Sequence, residues 1–288
     1  MGHSVSGHAD RVTAPDGTPV AYWTAGAGPA LVLVHGTTSD HTTFDELGPH
    51  LARSRTVIAV DRRGRGGSGD SAGTYQLDRE FDDVAAIIDW VAAERGHPVD
   101  VFSHSFGAFV ALGSALRTPA VRALVAYSPG FGAAYPPGSL ERIEYATASG
   151  DPDAVLQVMF QEIIGMTDEE IQSMRRSPVW NVRLALAGTI ARECRADESF
   201  LRTYATALRE VTCPVLVLSG TTNTAPKREL ARRLSRLLPT SALYEMSGAG
   251  HVAHHFAAAE LSRICLRFFD DPGTAFRPVT SAPFPASS

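Results

Sequence analysis

The chain of 288 residues carries 26 Lys and Arg against 31 Asp and Glu, a formal net charge of -5, and 44% of its residues are hydrophobic. This balance is typical of a globular protein with one sizeable core, and it argues against a nucleic-acid partner held through phosphates. No run approaches the roughly 20 apolar residues of a membrane helix, so no membrane association is expected.

The first eight residues have neither the basic nor the apolar region of a secretory signal, so none is expected. Cys194, Cys213 and Cys265 stand far apart and without the spacing of metal ligands. They predict free thiols, no structural metal and a cytoplasmic location.

The apolar pattern predicts the elements in chain order. A Pro15-Asp16-Gly17 turn predicts a hairpin over residues 11–25. Apolar runs without alternation, typical of parallel strands buried on both faces, follow at residues 30–34, 56–60, 99–102, 121–127, 214–218 and 242–246. Helical spacing between them predicts helices over 77–94, 105–116, 228–238 and 257–269. The fold class is therefore α/β, with a doubly wound, mostly parallel sheet of eight strands flanked by helices.

The alternation of strands and helices stops between residues 131 and 209. This stretch contains no strand candidate, and the acidic segments that begin at Asp151 and Thr167 mark helix starts. We therefore predict a helical cap at 131–209, inserted into a core of residues 10–130 and 210–270. The tail at 271–288 is rich in Pro, Ser and Ala and is predicted to be disordered.

The sequence Ser103-His104-Ser105-Phe106-Gly107 follows an apolar strand and opens a helix. A nucleophile on such a strand–turn–helix unit requires small residues two positions before and after it, because larger side chains would collide with the neighbouring backbone. Ser103 and Gly107 meet this requirement. Ser105 is therefore the candidate nucleophile; the alternative is that Ser103 and Ser105 only cap the helix.

Two further loops carry candidate partners of Ser105. His35-Gly36-Thr37 follows a buried strand, and the backbone N–H groups of Thr37 and Phe106 could together bind an oxyanion. Ser247-Gly248-Ala249-Gly250-His251 follows the last strand and projects an imidazole, so His251 is the candidate general base. The other histidines in polar segments are assigned to a helix start, at His254 and His255, or to solvated regions, at His3, His8, His41 and His50.

These motifs, together with Val60-Asp61-Arg62-Arg63-Gly64-Arg65-Gly66-Gly67-Ser68-Gly69, resemble the α/β-hydrolase family in the family's order over residues 10–270. The resemblance implies the α/β-hydrolase fold, Ser105 as nucleophile, His251 as base and a lid over the pocket. It also makes Asp61-Arg62-Arg63-Gly64 a structural turn. Epoxide hydrolases and haloalkane dehalogenases of this fold use an Asp nucleophile, so Ser105 argues against both.

The acid of the family's triad is missing from both of its expected positions. Asn223 stands where most of the family has the Asp of Gly-x-x-Asp, and Ser128 stands where the most similar branch has the Glu of Tyr-Glu-Pro. Because that acid fixes the imidazole tautomer and stabilises the imidazolium, its absence is expected to slow acyl transfer. Ser128 or Asn223 is the candidate that orients His251, and Glu193 and Glu245 are alternative acids.

Three functions remain open. The first is a hydrolase of a small apolar ester, lactone or thioester. The second is a non-hydrolytic biosynthetic enzyme (a cyclase, C–C lyase or dehydratase) that needs only a base and an oxyanion site. The third is a non-catalytic ligand-binding protein on the same scaffold.

The cap is rich in aromatic residues and Met, which favours a small apolar substrate. The weaker candidates for the substrate pocket are His35, Phe131, Tyr135 and Trp180. No motif for a metal or an organic cofactor is present, so none is expected. The chain is predicted to be a monomer or a homodimer.

Overall fold

Eight strands form one sheet in the computed structural model, which describes residues 9–70, 73–177 and 179–273. The strand order is β1-β2-β4-β3-β5-β6-β7-β8; β1–β2 and β2–β4 are antiparallel, and all other pairs are parallel. The predicted eight-stranded, mostly parallel sheet is confirmed. The strands are β1 (Asp10–Thr13), β2 (Pro19–Ala25), β3 (Ala30–Val34), β4 (Thr56–Val60), β5 (Val99–His104), β6 (Val121–Tyr127), β7 (Val215–Gly220) and β8 (Ser241–Met246).

Helices cover both faces of this sheet, and none within the described ranges is long and apolar enough to cross a membrane. The predicted tail at 271–288 lies outside those ranges from residue 274 onward, as do His3 and His8. The helices are α1 (Gly48–Leu51), α2 (Leu77–Arg95), α3 (Phe106–Ser114), α4 (Ser139–Ala148), α5 (Pro152–Gln157), α6 (Asp168–Arg175), α7 (Val179–Leu186), α8 (Ile190–Tyr204), α9 (Ala225–Leu237), α10 (Ala253–Phe256) and α11 (Ala258–Asp270).

The apolar runs of the central strands are buried on both faces because each strand divides its side chains between two cores. In β3, Val32 and Val34 pack into the core under α2, α3 and α9. Leu31 and Leu33 point the other way, into the core under α1 and α11. This alternation follows from the two-residue period of a strand.

Helices α4–α8, called the cap helices below, lie between β6 and β7 and pack around a third apolar core. Asp151 and Thr167 begin two of them, as predicted. The Asp151 side chain accepts the N–H of Ala154, and Thr167 forms a capping box with Glu170. Between α5 and α6 the chain widens into a π-helix over Val158–Ile164.

Buried charges tie the cap helices to the sheet. Glu193 of α8 accepts hydrogen bonds from Arg62 (2.7 Å) and from Arg65 (2.7 and 2.9 Å), and Arg62 also donates to Glu80 of α2 at 2.6 Å. All four side chains are fully buried. Glu193 therefore serves this cluster, and its alternative role as the triad acid is not supported.

The turn after β4 is held by Asp61. Its two carboxylate oxygens accept the N–H groups of His41 (2.8 Å) and Gly67 (2.6 Å), and the His41 ring lies 2.9 Å away. The prediction that His41 is solvated is wrong: it is buried under Trp23, which stacks on its ring at 3.4 Å. Asp40, His41 and Asp61 each offer one atom that could bind a metal ion, and these three atoms lie within 4.8 Å of one another. Hydrogen bonding explains these contacts without a metal.

Candidate active site

Ser105 occupies the sharp turn between β5 and α3. Its backbone has φ 56° and ψ -128°, a strained conformation for a residue with a side chain. A Cβ at Gly107 would lie 2.3 Å from the carbonyl oxygen of His35. Ser103 fits because its hydroxyl donates to the Val125 carbonyl at 2.8 Å. The structure thus shows a steric reason for glycine at position 107, and the buried hydroxyl of Ser103 has a hydrogen-bond partner.

Two backbone N–H groups lie beside Ser105 without an acceptor among the described residues, those of Thr37 and of Phe106, the first residue of α3. The loop bearing Thr37 abuts Ser105, since a Cβ on Gly36 would come within 2.9 Å of the Ser105 Cβ. Arg62 fixes this loop by donating to the carbonyls of His35 (2.9 Å) and Gly36 (3.1 Å). Free N–H groups at a helix N-terminus suit an anion.

His251 reaches the same cavity as Ser105 from the loop after β8. Its Nδ1 lies 2.8 Å from the Ser128 hydroxyl, which also accepts a hydrogen bond from the Asn223 amide at 3.3 Å. Of the two predicted orienting residues, Ser128 contacts the ring and Asn223 acts only through Ser128. No hydrogen bond joins Ser105 to His251 in the described ranges; free enzymes often form that bond only with substrate.

No carboxylate hydrogen-bonds to the His251 ring within the part of the chain that the structure describes. Glu245, the second alternative acid, lies on β8 and pairs with Arg232 at 2.9 Å. The position that faces Nδ1 therefore holds the hydroxyl of Ser128. A hydroxyl can accept from Nδ1 or donate to it, so it does not fix the tautomer as a carboxylate would.

The surroundings of His251 disfavour its charged form. Burial lowers the pKa of the imidazole well below 6.5, and the positive charge of Lys227 adds to this effect. Lys227 is itself buried, donates to the Pro129 carbonyl at 2.9 Å and lies 3.8 Å from the centre of the Phe131 ring. Burial lowers the pKa of Lys227 to about 7. Lys227 was not predicted from the sequence, because a lysine near the start of a helix is not distinctive.

The histidines around the site are expected to make the protein sensitive to acid. Burial lowers the pKa of His104 to about 3 and also lowers the pKa values of His35 and His254. Below about pH 6.5 the unfolded chain binds protons that the folded chain does not, so the free energy of unfolding should fall between about pH 7 and pH 5. His104 alone should account for about 2 kcal/mol of this loss. Urea unfolding at a series of pH values measures this loss.

The matched variants for this prediction are His104→Gln and His97→Gln. His104 is buried, and its Nε2 donates to the His251 carbonyl at 2.8 Å; His97 is exposed. Replacing His104 should reduce the pH dependence by about 2 kcal/mol, and replacing His97 should leave it unchanged. Equal pH dependence in all three proteins would contradict the prediction.

The cavity above Ser105 and His251 is narrow, about 30 Å³. The apolar part of its lining, called the apolar wall below, is formed by Phe131, Tyr135, Met159, Phe160, Ile164 and Met174. Polar residues also line it, among them Thr37, Thr38, Ser39 and Arg183. Phe131 and Tyr135, two of the candidates for the substrate pocket, thus lie on the cavity wall.

His35 and Trp180 do not line this cavity. His35 is fully buried, and its ring forms hydrogen bonds with the Gly36 carbonyl and the Arg62 N–H. It therefore holds the loop in place and does not face the cavity. Trp180 packs inside the cap against Phe160. Arg183 was not predicted from the sequence either, although it is a single cation in the mostly apolar helix Val179–Leu186.

Comparison with known proteins assigns the fold to one family. The model of the alpha/beta hydrolase family matches residues 31–264. The chain therefore belongs to the alpha/beta hydrolase family, and the predicted family is confirmed.

Individual relatives agree with this assignment. The chain is 28% identical over 256 residues to the 2-(acetamidomethylene)succinate hydrolase of Mesorhizobium japonicum, covering 85% of this chain and 89% of that protein. An alpha/beta hydrolase from Sphaerobacter thermophilus is 28% identical, with a TM-score of 0.73 over 88% of this chain and 99% of that one. The enol-lactonase of Burkholderia xenovorans, 18% identical, shares the fold with a TM-score of 0.74, over 91% of this chain and 100% of that one. Relatives named as hydrolases support the prediction that this chain is one.

Proposed function

We propose that the protein hydrolyses a small ester, lactone or thioester through Ser105 and His251. The observation that carries this proposal is the meeting of three features at one cavity: a serine on a strained strand–turn–helix unit, two backbone N–H groups without acceptors, and an imidazole. Acyl transfer needs these three groups as nucleophile, oxyanion site and base.

In the proposed reaction, the Ser105 oxygen attacks the substrate carbonyl while its proton passes to Nε2 of His251. The N–H groups of Thr37 and Phe106 bind the oxyanion of the tetrahedral intermediate. His251 then returns the proton to the leaving alcohol or thiol, and the acyl group stays on Ser105. Water, deprotonated by His251, releases the acid and restores the serine. The apolar wall of the cavity would hold the predicted apolar part of the substrate.

A second candidate function is proton transfer without hydrolysis, as in a cyclase, C–C lyase or dehydratase. The specific observation in its favour is the hydroxyl of Ser128 at His251 Nδ1, where a carboxylate would stabilise an imidazolium. A neutral imidazole with a low pKa suits a brief exchange of one proton with a bound substrate. This candidate uses the same cavity and the same oxyanion site.

Labelling with a fluorophosphonate separates the two functions, because the probe reacts only with an activated serine. We expect mass spectrometry to find one adduct, on Ser105, in the folded protein and none in the Ser105→Ala variant. Heat-denatured protein is the control for non-specific reaction. A folded protein that remains unlabelled would count against the hydrolase and in favour of proton transfer.

We also propose a reducing, cytoplasmic environment. The free, buried thiols of Cys194, Cys213 and Cys265 support it. Whether the protein is a monomer or a homodimer stays a prediction.

A further inference from the structure

Arg183 is a buried cation that lines the cavity. It projects from cap helix α7, is 4% exposed, and donates through Nη1 to the Thr38 carbonyl (3.1 Å) and to the hydroxyls of Thr38 (2.5 Å) and Ser39 (3.3 Å). Its Nε is buried without an acceptor. No carboxylate forms an ion pair with Arg183 in the described ranges, so part of its donor set has no partner within the protein.

The other deeply buried arginines of this protein are paired. Arg62 and Arg65 share Glu193, and Arg63 donates two hydrogen bonds to Asp83 at 2.6 and 2.7 Å. Pairing is the expected state, since a buried guanidinium without an anion is strongly unfavourable. Arg183 departs from this pattern, and it does so at a cavity, where a ligand could supply the missing charge.

No carboxylate among the described residues lies within ion-pair distance of Arg183. The Phe160 ring lies 5.2 Å from the guanidinium carbon. Asp40, the acidic group that acts on Arg183, lies beyond ion-pair distance, and its Oδ1 accepts from the N–H and hydroxyl of Thr42. The planar guanidinium matches a carboxylate, which it can bind through two parallel hydrogen bonds.

We infer that Arg183 binds a carboxylate carried by the substrate, an inference that rests on the proposed hydrolysis at Ser105. Thr38, which holds Arg183, follows Thr37 of the oxyanion site in the chain, so the bound carboxylate lies toward that side of the reacting carbonyl. The apolar wall contacts the carbon chain between the two groups. The substrate is thus a monoester, monothioester or lactone that retains a second, free carboxylate, and is more polar than the sequence predicted.

Two para-nitrophenyl esters of similar length test this inference: the glutarate monoester, which carries a free carboxylate, and the neutral pentanoate. We expect the protein to prefer the glutarate ester in kcat/KM. The Arg183→Met variant should lower the ratio of the two kcat/KM values by roughly 30-fold or more, and Arg183→Lys should restore part of it. A purely structural arginine would change both esters equally and leave the ratio intact, which would overturn the inference.

The matched control is Arg175→Met. Arg175 lies on neighbouring cap helix α6, pairs with Asp153 at 2.6 Å and does not line the cavity. Its replacement should leave the ratio unchanged. A similar fall in the ratio for Arg175→Met and Arg183→Met would mean that the cap as a whole, rather than Arg183, selects the ester, and would also overturn the inference.

Calorimetric binding of glutarate separates failure of this inference from failure of the proposed function. Glutarate that binds the unmodified protein but not Arg183→Met supports the carboxylate site even if the fluorophosphonate leaves Ser105 unlabelled. Hydrolysis of both esters without preference, together with no glutarate binding, would remove the carboxylate site and retain the hydrolase.

Discussion

Replacing Asn223 with aspartate is expected to raise the rate of ester hydrolysis by roughly tenfold to a hundredfold, a part of the roughly 10⁴-fold that a triad acid contributes in serine proteases. The measurement is kcat/KM for a para-nitrophenyl ester across pH. The physical reason lies in the chain of hydrogen bonds from Asn223 through Ser128 to His251. In that chain, the Asn223 amide donates to the Ser128 oxygen.

Because Ser128 already accepts from Asn223, its own proton is free to point at His251 Nδ1. In the tautomer that receives this proton, the ring proton lies on Nε2, where it blocks uptake of the serine proton. In the other tautomer Ser128 accepts from Nδ1–H and Nε2 is free, so only part of the protein is ready to react. An aspartate at 223 would instead accept the Ser128 proton and leave the Ser128 oxygen to accept from Nδ1–H. The new carboxylate would also raise the pKa of His251, so the low-pH limb of the rate profile should move to higher pH.

The control for this variant is Thr224→Asp, which adds the same charge one residue later at the exposed start of α9. It should leave the rate unchanged. An Asn223→Asp protein that hydrolyses no faster than the unmodified one would show that tautomer and charge at His251 do not limit the reaction. Ser128→Glu places a carboxylate at the other position where the family carries its acid and gives a second test of the same point.

Replacing Glu193 with glutamine is expected to lower the free energy of unfolding by about 3–5 kcal/mol. Glu193 and Glu80 together neutralise the fully buried Arg62 and Arg65, and the Glu193 oxygens lie 2.7 Å from both arginines. The amide keeps the shape but leaves one positive charge uncompensated. Urea unfolding at neutral pH measures the loss.

Glu198→Gln is the matched control for Glu193→Gln, because Glu198 lies on the same helix and pairs with Arg195 at the surface. Surface pairs contribute about 0–1 kcal/mol, so this variant should be close to the unmodified protein in stability. Equal effects of the two substitutions would contradict the role given to the buried cluster. Since Arg62 also holds the loop before Thr37, Glu193→Gln should lower kcat as well.

The central strands could be predicted almost to the residue because a doubly covered strand leaves an uninterrupted apolar run. Residues 30–34 and 56–60 were predicted with the bounds of β3 and β4. The short helix α1 was missed, since four residues give no helical period. The start of α9 was predicted three residues late, because its first turn is polar and begins beside a proline.

The candidate nucleophile could be found from sequence because its turn imposes local rules on residues 103 and 107. Partners distant in the chain could not be found that way. Nothing in the sequence pairs Glu193 with arginines about 130 positions earlier, and the segment before β4 gave no sign that His41 would fold onto Asp61. A charge in an apolar helix, as at Arg183, is a signal that reasoning from sequence could have used.

The small cavity constrains how molecules reach Ser105. A space of about 30 Å³ is smaller than the pockets that usually hold small-molecule substrates, so we expect part of the cap to move when an ester binds. Helix α8 is clamped by Glu193 and by Asp197, which accepts the N–H groups of Phe131 and Gly132. We expect the moving part to lie before α8, in the segments that carry Arg183, so that the same movement would admit the ligand and bring the cation to it. Solvent viscosity should then slow turnover.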